Sequence, residues 1–250
     1  MFDMSTSMKK KFVVCSLPRT GSTAVMKSLA TALDADNSFG NKVCESEPFW
    51  LPQRREMNLT TNLHDHVGLA KKLFEEYDGF KIIINQTMQL REICDENNAG
   101  LILIRRNDYL ATLASLIIML TIGPELASGR CFKAGLLSPK SYETWTSTRK
   151  KMVYNPNDKT LAYLNYQINQ ILYANHLIDN VFPTYSNYVT TINYENQTPG
   201  LEALEEYFGV EIPLMLAPSR PLSDYFVNHK EFKSDIEDRI KNEINSVQDE

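Results

Sequence analysis

Arg19, Thr20, Gly21, Ser22 and Thr23 form a compact group of anion-binding residue types. They follow a short apolar run, Phe12, Val13, Val14 and Cys15, and precede a stretch with helical spacing. A strand, a tight turn and a helix start in that order build an anion site. The first helical turn leaves N–H groups without intrahelical partners, and the helix dipole adds positive potential at the same point. Gly21 lets the backbone come close to a ligand, while Ser22 and Thr23 bring hydroxyls. Arg19 supplies a fixed charge whose planar fork suits two oxygens at once. Lys9, Lys10 and Lys11 add to the local positive charge. The expected ligand of this stretch is a phosphate.

A second strand end carries more charge of the same sign. The apolar run Leu101, Ile102, Leu103, Ile104 passes straight into Arg105 and Arg106, and Asp108 is a good N-cap for a helix that bears Ser115. Two charges ending a buried strand are costly without a partner, so either arginine meets a ligand phosphate or an acidic side chain. The first loop is not a nucleoside-triphosphate loop of the form GxxxxGK[ST], because Ser22 stands where that lysine belongs and Ser16 replaces the first glycine. A Rossmann GxGxxG is also absent. Two separate positive strand ends with no acidic metal-holding partner suggest a nucleotide carrying two phosphate groups.

The elements that must position these residues alternate between strand and helix patterns. Helical spacing covers 22–33 and a polar turn 34–40. An extended segment at 41–50 is ended by Pro48, and a loop follows at 51–61. Helix 62–77, strand 79–85, helix 87–98 and strand 101–104 come next, and then the helix that starts at Asp108. Residues 121–158 read as a loop-rich insertion. A long helix at 159–179, a strand at 187–194, a short helix at 201–208 capped by Gly209 and a charged helix from Glu231 complete the chain. This pattern predicts an α/β fold of three layers, a central, mainly parallel sheet flanked by helices. One domain over 1–250 is expected, with 1–9 disordered.

Composition narrows the class. A net charge of −5 argues against a general nucleic-acid binder but not against a small anionic ligand. Cys15, Cys44, Cys94 and Cys131 show no CxxC pairing and no metal-like clustering with the histidines, so they read as small buried hydrophobes in a reducing compartment. No signal-like segment is visible, and the apolar run 110–122 is too short to span a bilayer, which makes the expected location cytoplasmic.

The run Pro18, Arg19, Thr20, Gly21, Ser22, Thr23 after a strand resembles the 5′-phosphosulfate loop of sulfotransferases, most closely the bacterial and carbohydrate-type members. Glu47, Pro48, Phe49 is similar to that family's E-P-F segment, and Gly79, Phe80, Lys81 to its G-F-K strand. Residues 101–115 resemble its 3′-phosphate segment, with weaker echoes at Tyr194 and Glu195 and at Asn228 and Glu231. Ser115 follows Arg106 by nine residues and Arg105 by ten, a longer interval than in many relatives.

The resemblance implies transfer of a sulfuryl group from 3′-phosphoadenosine 5′-phosphosulfate to a hydroxyl or amine of a small molecule, lipid or carbohydrate. The product would be 3′-phosphoadenosine 5′-phosphate, and no metal would be required. Arg19 takes the leaving-group role, and Thr20, Gly21, Ser22 and Thr23 hold the 5′-phosphate. Arg105 or Arg106, with Ser115 and Arg220, holds the 3′-phosphate. Glu47 is the implied general base, with Glu45, His64 and His66 as alternatives, and Lys81 binds sulfate or acceptor or is a strand-edge lysine. Phe49, Trp50, Tyr142 and Trp145 line the acceptor pocket or belong to the core. Two other readings compete: a nucleotide kinase or NTPase with a degenerate P-loop, and a non-catalytic nucleotide-binding protein on the same fold.

Overall fold

A computed structural model describes residues 10–35, 43–44, 47–49, 65–122, 153–213 and 221–248. The segment 1–9, the loop 51–61 and most of the insertion 121–158 lie outside the described residues, as do Lys9, Glu45, Trp50, His64, Cys131, Tyr142, Trp145 and Arg220.

Five strands, β1 (Phe12–Ser16), β2 (Val43–Cys44), β3 (Gly79–Ile83), β4 (Gly100–Arg105) and β5 (Tyr188–Asn193), form one sheet in the order β2-β3-β1-β4-β5. Every pairing is parallel. The helices among the described residues are α1 (Ser22–Ala35), α2 (His66–Glu76), α3 (Leu90–Asn97), α4 (Tyr109–Ile122), α5 (Asp158–His176), α6 (Thr198–Phe208) and α7 (His229–Gln248). The expected α/β architecture with a parallel sheet flanked by helices is therefore present. The reason lies in β1, β3 and β4: each is mostly apolar, with Lys81 the one charge inside β3, and is buried along almost its whole length, as strands covered on both faces must be.

The chain divides into two compact units, one formed by 1–107 with 174–217 and the other by 108–173 with 218–250. In the first unit, register sorts side chains between the two faces of the sheet. Phe12, Val14, Ile102, Ile104 and Ile192 form a core with Val25, Met26 and Leu29 of α1 and Leu204 and Phe208 of α6. On the other face Phe80 meets Phe74 of α2 at 4.7 Å and Phe49 at 5.8 Å between ring centroids. The strand order matters for function. From β1 the chain moves outward to β2, returns to β3 and then crosses β1 to reach β4 and β5. The direction of winding reverses between β1 and β4, and open α/β sheets bind ligands beyond the carboxyl ends of their strands at such a reversal.

In the second unit Asp108 caps α4 as expected, its Oδ1 accepting from the Ala111 N–H at 2.9 Å. Tyr154, Phe226 and Phe232 form an aromatic cluster with centroids 4.6–5.7 Å apart. Asn228 clamps it by exchanging two hydrogen bonds with the Tyr154 backbone, at 2.7 and 2.8 Å. Asn228 also donates to Glu231 at 2.6 Å. The echo at Asn228 and Glu231 thus marks a packing device at the head of α7. No helix among the described residues is long and apolar enough to cross a membrane.

Several element ends differ from the sequence reading, each for a local reason. β3 stops at Ile83 because the Gln86 side chain accepts from the Ile83 N–H at 3.0 Å, which folds residues 84–86 into a 3₁₀ turn. The helix expected from 87 begins only at Leu90. Thr87 Oγ1 accepts from the Gln89 N–H at 3.0 Å, a local bond that competes with the helix. Among the described residues of 41–50, Val43–Cys44 joins the sheet, and Pro48 and Phe49 form a turn.

Candidate functional site

The first unit brings together the ends of β1, β3, β4 and β5. β1 ends at Ser16, and the loop turns sharply enough that Arg19 and Gly21 both take positive φ, 63° and 88°. Gly21 occupies this left-handed backbone without penalty, whereas an arginine in it is strained. The Gly21 carbonyl then accepts from the Ala24 and Val25 N–H groups at 2.9 and 3.2 Å and starts α1. Ser22 and Thr23 fall in the first helical turn, where no intrahelical carbonyl reaches their N–H groups.

Thr20 is used differently from the reading above. Its hydroxyl donates to the Leu17 carbonyl at 2.7 Å, inside the loop, and the residue is 1% exposed. The hydroxyl closes the turn, which leaves the Thr20 backbone as the part able to meet a ligand. Ser16 is fully buried just before the loop, and its Oγ has no hydrogen-bond partner among the described residues. A buried hydroxyl without a partner is costly, and a ligand in the loop is one way to satisfy it.

Lys81 is no strand-edge lysine. It is the third residue of β3, between β1 and β2 in the sheet, and pairs in register with Val14. It is 3% exposed. Its Nζ donates to Thr23 Oγ1 at 2.9 Å and lies 3.1 Å from Glu47 Oε1. Two consequences follow. Thr23 accepts through its oxygen and keeps its hydroxyl proton to give away. Glu47, whose side chain is 37% exposed, is anchored by a buried ammonium while part of it faces solvent. The loop, the G-F-K strand and the E-P-F segment thus meet through one chain of contacts, Thr23 to Lys81 to Glu47.

The exit of β4 separates the two arginines. Arg105 forms an ion pair with Asp179, which lies in the π-turn Leu177–Val181 after α5. This is the acidic partner that the sequence reading offered as the alternative to a phosphate. Arg106 turns the other way: its Nη1 donates to the Arg19 carbonyl at 3.1 Å, and its guanidinium lies 4.5 Å from the centre of the Tyr194 ring. The Tyr194 N–H donates to the Arg105 carbonyl at 2.8 Å, and both oxygens of Glu195 accept from the Asn107 N–H at 3.1 Å.

Ser115 lies on α4 in the second unit, 9% exposed. His66 begins α2 and is partly buried, its Nδ1 2.9 Å from Thr87 Oγ1 and its ring edge-on to Phe49 at 5.5 Å. It is a packed residue rather than a solvated one. Sequence reasoning missed Asp179 as the partner of Arg105, since a lone acid near the end of a long helix gives no signal. It also missed the ring of Tyr194 under Arg106, although the adjacent Tyr and Glu had been singled out. Compared with known proteins, the chain matches no family model, and no curated protein is a significant match.

Proposed function

We propose that the protein transfers a sulfuryl group from 3′-phosphoadenosine 5′-phosphosulfate to a hydroxyl or amine of a small molecule, lipid or carbohydrate. The observation that carries this reading is the link from Arg106 to the Arg19 carbonyl, which joins a phosphate-type loop after β1 to a second cationic strand end at the winding reversal of the sheet. That arrangement suits a nucleotide with two separated phosphate groups. The lysine of a triphosphate loop is replaced by Ser22, and the cations that remain, Arg19, Lys81 and Arg106, can meet the charge of the donor directly.

In this reading Arg19 neutralises the charge that develops on the leaving phosphate as the sulfur–oxygen bond breaks, with Lys81 beside it. The N–H groups of Ser22 and Thr23 and the Thr23 hydroxyl hold the 5′-phosphate. Glu47 takes the proton of the acceptor as the new oxygen–sulfur or nitrogen–sulfur bond forms, and Lys81 holds its carboxylate in place. Arg106 is assigned to the 3′-phosphate because its guanidinium is tied to the Arg19 loop, Nη1 donating to the Arg19 carbonyl at 3.1 Å. Ser115 and Arg220 join that assignment on sequence resemblance alone.

Thermal unfolding tests the donor. 3′-Phosphoadenosine 5′-phosphate should raise Tm more than ATP does, and should do so in the presence of a chelator. Equal shifts, or none, would remove the donor assignment. Glu47→Gln should then keep the shift and lose transfer, whereas retained turnover would move the base to another residue.

A further inference from the structure

The dipeptide Tyr194, Glu195 holds Arg106 from three sides. Tyr194 donates its N–H to the carbonyl just before Arg106 at 2.8 Å, and Glu195 accepts from the N–H just after it at 3.1 Å. The Tyr194 ring lies against the guanidinium itself at 4.5 Å. Arg106 is 8% exposed, so little solvent competes for its charge. The main-chain bonds fix where the Arg106 backbone leaves β4, and the ring packs against the guanidinium. One Nη then reaches the Arg19 carbonyl at 3.1 Å. A guanidinium packed against a ring and tied at one end to the Arg19 loop has less freedom to rotate, which favours one anion position over others.

Resting on the donor reading above, we infer that Tyr194 is a positioning residue that sets the preference for a nucleotide with a 3′-phosphate, by holding the guanidinium of Arg106 in register with the Arg19 loop. It acts through Arg106 and need not touch the nucleotide. Replacing the ring frees the guanidinium to rotate and weakens its grip on the 3′-phosphate. The 5′ end, held by residues 19–23, keeps its affinity.

The readout is the ratio of affinities for 3′-phosphoadenosine 5′-phosphate and 5′-AMP, measured by calorimetric titration of the full chain. Tyr194→Leu should lower this ratio about thirtyfold, the size of a desolvated cation–π contact. Tyr194→Phe, which keeps the ring, should restore it. A general loss of structure would weaken both nucleotides alike, so an equal loss in Tyr194→Leu, or an unchanged ratio, overturns the inference. If Tyr194→Leu does not fold, Arg106→Lys answers the same question. It keeps the charge but loses the flat face, so the ratio should fall, and an unchanged ratio overturns the inference. Failure of the wild-type protein to prefer the bisphosphate over 5′-AMP would instead overturn the donor reading beneath it.

Discussion

Arg19 holds a left-handed backbone, φ 63°, at a position where glycine would be relaxed. For an L-residue that conformation costs about 1–2 kcal/mol. The extra freedom of glycine in the unfolded chain offsets about 0.4–1 kcal/mol of any relief. The backbone part of Arg19→Gly should therefore be neutral or stabilising by up to ~1.6 kcal/mol, while binding of 3′-phosphoadenosine 5′-phosphate is lost. Chemical denaturation and nucleotide titration of the same variant check both halves. A clear loss of stability would mean that the arginine side chain serves the fold and not a ligand. At this scale the turn after β1 was legible, because an apolar run that passes into Pro, Arg and Gly before helical spacing marks a strand, a turn and a helix start. What each side chain touches was not. Nothing in the sequence says that the Thr20 hydroxyl turns back to Leu17, or that Lys81 is buried against Thr23 and Glu47, because those contacts depend on how distant segments fold together.

At the scale of elements, the apolar runs of β1, β3 and β4 announced themselves, since a strand covered on both faces has no polar period to hide it. Their ends did not, because single side chains such as Gln86 and Thr87 decide them by capturing a backbone N–H. The packing between strands was equally invisible. Gly79 begins β3 beside Phe12 in the sheet, and a Cβ built there would lie 2.1 Å from the Phe12 ring. That ring is fully buried and packs edge-on to Phe208 at 5.1 Å, so it has nowhere to retreat. In an open strand, glycine to alanine gains backbone entropy and stability. Here overpacking wins, and Gly79→Ala should destabilise the protein by about 1–3 kcal/mol. For a chain of this length that corresponds to a drop in Tm of several degrees, read by calorimetry. A rise in Tm would show that the Phe12 ring can move aside.

At the scale of the whole molecule, alternating strand and helix patterns gave the parallel α/β class, but not the strand order, which depends on crossovers that no local pattern records. One consequence of that order can be measured at high pH. β1 lies at the centre of the sheet, so Cys15 is fully buried, and burial, with Cys94 nearby, pushes its thiol well above the ordinary value of 9.0. Cys94 on α3 is also pushed up by burial, and then by Asp95, to about 12. Both thiols ionise near their ordinary value in the unfolded chain and later in the folded one. Above about pH 9 the native state therefore binds more protons than the unfolded state, and stability falls as pH rises. The slope is about 1.4 kcal/mol per pH unit for each proton retained. Tyr154 adds to it at higher pH, since burial and then its hydrogen bond to Asp235 raise its phenol above 10.0. Below about pH 8 these groups are almost fully protonated in both states and contribute little slope. Urea unfolding under reducing conditions, repeated at pH 8, 9, 10 and 11, should give a shallow first step and then a steeper decline. In the Cys15→Ala, Cys94→Ala double variant the decline between pH 9 and 10 should become clearly shallower, the raised phenols of Tyr77, Tyr163, Tyr185 and Tyr207 carrying part of what is left, even though the variant is less stable at pH 8. An unchanged decline in that interval would place its origin outside the two buried thiols.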